Sequence, residues 1–163
     1  MNAVLSNQKR RFPRANLNGT AQVTQGAFRC SGEISTLSEG GVFIAGIPKL
    51  PMGSDYRVHL ILPKTFEPVV CRAEVIYNLP PSDGRKGGTG MRFTVISADA
   101  LARICKLVAL LGSLYEKLLA LLTTPDPDRG EVETLAFELG LPTDLPNARL
   151  RWLVLHGVNQ FRV

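Results

Sequence analysis

Four cations fall within the six residues Lys9-Arg10-Arg11-Phe12-Pro13-Arg14. The first acid in the chain is Glu33, so residues 1–32 carry Lys9, Arg10, Arg11, Arg14 and Arg29 with nothing to neutralise them. That is +5, the whole formal net charge, because the remaining 14 cations and 14 acids cancel. Charge gathered on one arm, instead of being spread over a face, points to a localised anion site. Pro13 fixes its own backbone and pushes Phe12 away from helical angles, so Arg10 and Arg14 are not helical neighbours and can reach a ligand from two directions. The planar fork of arginine gives paired hydrogen bonds to phosphate and stacks on a flat base.

Two further fragments carry polar chemistry. In Thr36-Leu37-Ser38-Glu39-Gly40-Gly41 a serine hydroxyl stands three residues before a glycine, and the Gly-Gly turn frees backbone N–H groups just ahead of a strand, a combination suited to an anion or a base edge. Gly88-Thr89-Gly90-Met91-Arg92-Phe93 leads a last strand with glycines. Catalytic constellations are weaker. His59 and His156 have no visible nucleophile or carboxylate partner, and Asp126 and Asp128 flank a proline in a linker with no further ligands behind them. Cys30, Cys71 and Cys105 are odd in number and far apart, which suggests neither a disulfide framework nor a metal site. The expectation is a protein that is not an enzyme and holds no metal.

The elements that must position these fragments follow from periodicity. Period-two stretches at 20–24, 27–34, 41–45, 56–62, 69–77 and 89–96 predict about six half-buried antiparallel strands, with Tyr56, Val58, Leu60 and Leu62 sharing one face and Val69, Cys71, Ala73, Val75 and Tyr77 another. Six strands avoid exposed edges by closing into a small Greek-key-like barrel. After Ser97 the period changes. Leu101, Ile104, Val108, Leu111, Tyr115, Leu118 and Leu122 form a heptad seam on a helix of about 25 residues, capped by Ser97 or Asp99 and stopped by Pro125 and Pro127. Leu107, Leu114 and Leu121 add a second stripe that the barrel alone cannot cover. Shorter helices are expected at 131–139 and 148–160, with Trp152 in core or interface. The predicted division is a barrel with its basic arm at 1–97, the long helix at 98–123, and linker plus C-terminal helices at 124–163.

At 163 residues with a 45% hydrophobic share and 20% charged residues, the chain is expected to fold around one core. The N-terminus has no secretory pattern, and charges at Arg103, Lys106, Glu116 and Lys117 interrupt the longest apolar region, so a cytoplasmic protein without a membrane span is expected. Nucleic acid is a poor match for the strands, which show no clear aromatic platform.

In order and spacing the three fragments resemble the PilZ domain, a bacterial receptor module for cyclic di-GMP. The family pattern is R-x-x-x-R, then D/N-x-S-x-x-G about twenty residues later, on a six-stranded barrel ending in G-x-G-x-x-F and a helix. The likeness covers roughly residues 8–115. It implies that Arg10 and Arg14 grip phosphates and stack on guanine, that Arg11 is a third contact, and that Thr36, Ser38, Gly40 and Gly41 form the opposite wall. Thr36 departs from the family, which has Asp or Asn there; threonine offers one hydroxyl and no charge to a guanine edge. The resemblance therefore implies a cyclic di-GMP receptor that relays the signal to a protein partner. Its alternative is a degenerate adaptor that binds the nucleotide weakly or not at all. The two apolar stripes of the long helix add the expectation of a homodimer, or of a protein partner, built on Leu101 to Leu122 and the C-terminal helices.

Overall fold

The computed structural model describes residues 12–63 and 67–161, so Lys9, Arg10 and Arg11 lie outside the described residues. Six strands are followed by three helices: β1 (Arg14–Gln25), β2 (Phe28–Ser38), β3 (Gly41–Ala45), β4 (Asp55–Ile61), β5 (Val69–Leu79), β6 (Gly88–Val95), α1 (Ala98–Thr123), α2 (Arg129–Glu138) and α3 (Asn147–Phe161). The strands close a barrel in the order β1-β2-β3-β6-β5-β4, and every pairing is antiparallel. Closure leaves no long edge to template another chain. Alternation fills the interior: Ala21, Val23, Ile34, Ile44, Val58, Leu60, Val69 and Val75 are buried.

β1 and β2 run further than the periodicity predicts. Their pairing continues to Arg14 opposite Ser38, past an irregularity that sets Leu17 and Asn18 against Ser35 alone. Of the further register shifts, which include one between Arg72 and Ala73 in the β5–β6 pairing, two change the side-chain alternation beside the site. At Ser35 the β2–β3 register shifts between Ile34/Ile44 and Thr36/Phe43, and at Ile76 the β5–β6 register shifts between Val75/Met91 and Tyr77/Gly90. An extra residue moves everything beyond it to the other face. Tyr77 is thereby turned away from the buried side chains of Val69, Cys71, Ala73 and Val75, contrary to the face that strict alternation gives it.

Ser97 caps α1, its hydroxyl accepting from the Ala100 N–H at 3.1 Å. Asp128 caps α2 by accepting from the Glu131 N–H, a structural use for one of the two linker aspartates. Helix α1 packs on β1, β2, α2 and α3. Its seam is buried from Ile104 to Leu122, and Leu107 and Leu114 of the second stripe are buried as well, with Leu121 half-buried. Val132 and Ala136 of α2 and Leu150, Val154 and Val158 of α3 join the same core. Gly157 lets α3 approach closely, since a Cβ there would meet the Tyr115 ring at 2.5 Å. The second stripe is thus covered within one chain, so uncovered area no longer calls for a second copy. Trp152 is not core: it is 63% exposed, stacked on His156. No helix among the described residues is long and apolar enough to cross a membrane.

Burial pushes the Cys71 thiol up to about 11 and the Tyr115 hydroxyl up to about 12, from ordinary values of 9.0 and 10.0. Both groups are neutral when protonated, so the folded chain keeps these protons longer than the unfolded chain does. The stability they contribute is fully present below the unfolded values and is lost as pH rises through the folded ones. Urea unfolding should therefore show stability falling between about pH 9 and 11, by on the order of 2 kcal/mol for Cys71 alone. Cys71→Ala should remove the part of the fall that starts near pH 9, and an unchanged profile in that variant would contradict the assignment.

Candidate functional site

A cleft of about 280 Å³ opens on the outer wall of the barrel, lined by Phe12 and Arg14, by Thr36, Ser38, Gly40 and Gly41, and by residues of β3, β5 and β6. Pairing brings them together. Arg14 stands opposite Ser38 in the β1–β2 ladder, Thr36 pairs with Phe43, Phe43 with Gly90, and Gly90 with Tyr77. The two bulges place Thr36 and Tyr77 on this outer row; unbroken alternation would send both into the core.

Ser38 ends β2 and Gly41 starts β3. The Ser38 Oγ accepts from the Gly40 and Gly41 N–H groups, both at 3.2 Å, and donates to the Gly41 carbonyl at 3.4 Å. The side chain is buried and its hydrogen bonds stay within the turn, so it acts first to hold the turn's shape. The Gly40 carbonyl accepts from the Phe93 N–H at 3.0 Å, tying the turn to β6. Glycine is required at Gly41, and a side chain at Gly40 would displace Phe12. A Cβ at Gly40 would meet the Phe12 ring at 2.8 Å, and one at Gly41 would overlap the Met91 carbonyl. Phe12 therefore lies against the turn.

The floor is aromatic, which the sequence reading missed. Phe43 and Tyr77 stack with ring centroids 6.0 Å apart and planes 25° apart. A Cβ at Gly88 would meet the Phe43 ring at 2.8 Å, and one at Gly90 would overlap the Tyr77 ring. The Gly88-Thr89-Gly90 sequence thus makes room for two rings on the outer face, while Thr89 between them points inward and is fully buried. One signal was available: glycines two apart in a strand leave a gap that cross-strand aromatics fill.

Charge in the cleft is positive. Among the described residues Arg14 and Arg92 line it and no acid does; Arg92 is held by a 2.6 Å ion pair to Glu74. Arg92 was given no role by sequence. Beside the cleft, burial and then the nearby Glu39 carboxylate raise the Cys105 thiol above its ordinary value, against a smaller lowering by a backbone hydrogen bond. Among the described residues no group of three or more His, Cys, Asp or Glu could hold a metal ion, and His59 and His156 lie away from the cleft lining. Of the residues expected at the site, Arg14, Thr36, Ser38, Gly40 and Gly41 line this one cleft; Arg10 and Arg11 lie outside the described residues. An anion against Arg14 and Arg92, with a flat ring system over Phe43 and Tyr77, is the chemistry this surface can accept.

Ser38→Ala leaves two backbone N–H groups without their acceptor, so it should cost about 1–3 kcal/mol in urea unfolding while the barrel still folds. A loss under about 0.3 kcal/mol would show that the hydroxyl does not hold the turn.

The family model of the PilZ domain matches residues 8–110. None of the curated proteins compared with the chain matches it. Solved structures with a similar fold include the inhibitor of motility MotI/DgrA of Bacillus subtilis, with TM-score 0.54, 16% identity, and coverage of 61% of this chain and 49% of that one. Escherichia coli YcgR in complex with c-di-GMP gives TM-score 0.57 and 16% identity over 68% and 49% of the two chains. The complex of K. pneumonia MrkH with c-di-GMP gives 0.55 and 20% over 68% and 54%. The chain spans about half the length of each of these three, and at such identities the likeness is one of fold.

Proposed function

This chain belongs to the PilZ family, and from that premise we propose that it is a cytoplasmic receptor for cyclic di-GMP, without enzymatic activity, that relays the signal to a protein partner. The observation that carries the reading is the gathering of Arg14, Thr36, Ser38, Gly40 and Gly41 around a single cationic cleft with an aromatic floor. Two of the structures with a similar fold, YcgR and MrkH, are complexes with c-di-GMP. In this reading Arg14, together with Arg10 and Arg11 of the preceding arm, takes the phosphates and stacks on guanine, and the Ser38–Gly41 turn forms the facing wall.

Residues 1–97 would receive the ligand, 98–123 would carry the change, and 124–163 would meet the partner. The route is short, because α1 packs directly on β1 and β2, the strands that carry Arg14, Thr36 and Ser38. With Leu107 and Leu114 covered, a protein partner or a second copy would be met through side chains that stay exposed on the helices, such as Leu110, Phe137 and Trp152. The second reading is an adaptor that binds the nucleotide weakly or not at all. Thr36 favours it: the residue lines the cleft where the family has a carboxylate or amide for the guanine edge.

Calorimetry with cyclic di-GMP decides between them. Saturable binding is expected, and Arg14→Ala should weaken it about tenfold or more, since a charge-assisted hydrogen bond is worth roughly 1.5–3 kcal/mol. Absence of heat up to high micromolar ligand would remove the receptor reading and leave the adaptor.

Thr36→Asp should tighten binding, because it supplies a charged acceptor on the floor beside Phe43. Unchanged or weaker affinity would mean that the base does not sit over Thr36.

A further inference from the structure

The strands that carry the cleft lead into a second opening. Where β3 ends and β6 begins, the β3–β4 loop and the β5–β6 hairpin stand on either side of a groove of about 1060 Å³. Its walls are tied together. The Gly46 N–H donates to the Gly87 carbonyl at 2.9 Å, and Asn78 Nδ2 donates to the Leu50 carbonyl at 2.8 Å. In return the Leu50 N–H and the buried Thr89 hydroxyl both donate to Asn78 Oδ1, at 3.3 and 2.7 Å. Reciprocal backbone bonds between Ser82 and Arg85 close the hairpin tip, where Gly84 takes a φ of 71°. The groove is built by the fold itself, which lowers the cost of ordering it around an occupant.

Its lining is apolar with a positive rim. Ile47 and Leu79 are each followed by a proline, and Leu79 is 53% exposed. Among the described residues Lys49, Arg85 and Lys86 are the charged side chains that line it, and the exposed Asp83 at the hairpin tip is not part of the lining. The Lys86 ammonium meets Glu33 at 3.4 Å, but both side chains are about two-thirds exposed, 67% and 66%, so this pair holds Lys86 only weakly. Among the described residues no aromatic side chain lines the groove, which removes the stacking surface that single-stranded nucleic acid requires. Three cations around an apolar floor complement carboxylates flanking an apolar side chain.

We propose that this groove docks an acidic segment of a partner protein, with an apolar side chain between Ile47, Leu79 and Pro80 and carboxylates facing Lys49, Arg85 and Lys86. The site does not depend on nucleotide in the cleft. A fluorescein-labelled short peptide alternating glutamate with leucine and phenylalanine, titrated against the full chain without nucleotide, should give saturating anisotropy. Lys49→Glu/Arg85→Glu should weaken it at least about tenfold with an unchanged thermal midpoint, since both side chains are exposed and unlinked to the core. Raising salt from about 0.05 to about 0.5 M should weaken it too. The same peptide with lysine for glutamate should not bind. The proposal is overturned by absence of saturation, by equal binding of the lysine peptide, or by indifference to the double charge reversal. It is overturned equally if single-stranded oligothymidine binds with the same dependence on Lys49 and Arg85, which would make the groove a general polyanion site.

Discussion

Arg14 lies opposite Ser38 because the β1–β2 hairpin is pinned to one register, and the arrangement of the cleft depends on that pairing. A slip by one residue would carry Ala21, Val23 and Ile34 from the core to solvent, so burial holds the register far more strongly than any interaction at the surface could. The hairpin joins an arginine and a serine turn separated by most of two strands. It also delivers Phe12 onto Gly40, where nothing larger than a hydrogen atom fits without displacing the ring. Surface chemistry here is fixed by packing on the other side of the same backbone.

The bulges at Ser35 and Ile76 add what a regular barrel would lack. Each costs a local break in the ladder and turns one polar or aromatic side chain outward. Thr36 and Tyr77 then flank Phe43, and the small Gly88 and Gly90 let the rings lie against β6. The stacked pair stands between the two openings of this wall: Gly90 belongs to the cleft and Gly88 to the groove. Ser38 spends its hydrogen-bonding capacity inside the turn, so the contact it prepares is made by the shape of the backbone as much as by its own hydroxyl.

Much of this was legible in the sequence. Alternation located the six strands, the change of period at Ser97 located α1 with its cap, and the two motifs named five residues that line one cleft. What escaped has physical reasons. A bulge inserts a residue without any signature in polarity, so Tyr77 was read as facing inward with Val75. The depth of β1 was missed because Arg14 and Asn16 are polar residues on an outer row, indistinguishable in sequence from a loop. Burial of the Leu107 and Leu114 stripe was not legible because the packing of α2 and α3 on α1 depends on how those helices return across the linker, set by close contacts such as Gly157 on Tyr115 and Asn18 on Gly140. The aromatic floor was hidden because Phe43 and Tyr77 lie 34 residues apart and meet only through the β3–β6–β5 ladder.

The positive cleft, its turn and its aromatic floor form one surface, and α1 packs on β1 and β2, two of the strands that build it; in the proposed function this packing is the path from an occupant of the cleft to the helical tail. The most direct test of that account is a residue-by-residue map of amide chemical shifts in the nitrogen-15-labelled chain as cyclic di-GMP is added. The account predicts that the largest shifts cluster at Arg14, Thr36, Gly40, Gly41 and Gly90, with smaller ones in α1 around Cys105. Shifts confined to the β5–β6 hairpin, or none at saturating nucleotide, would contradict it.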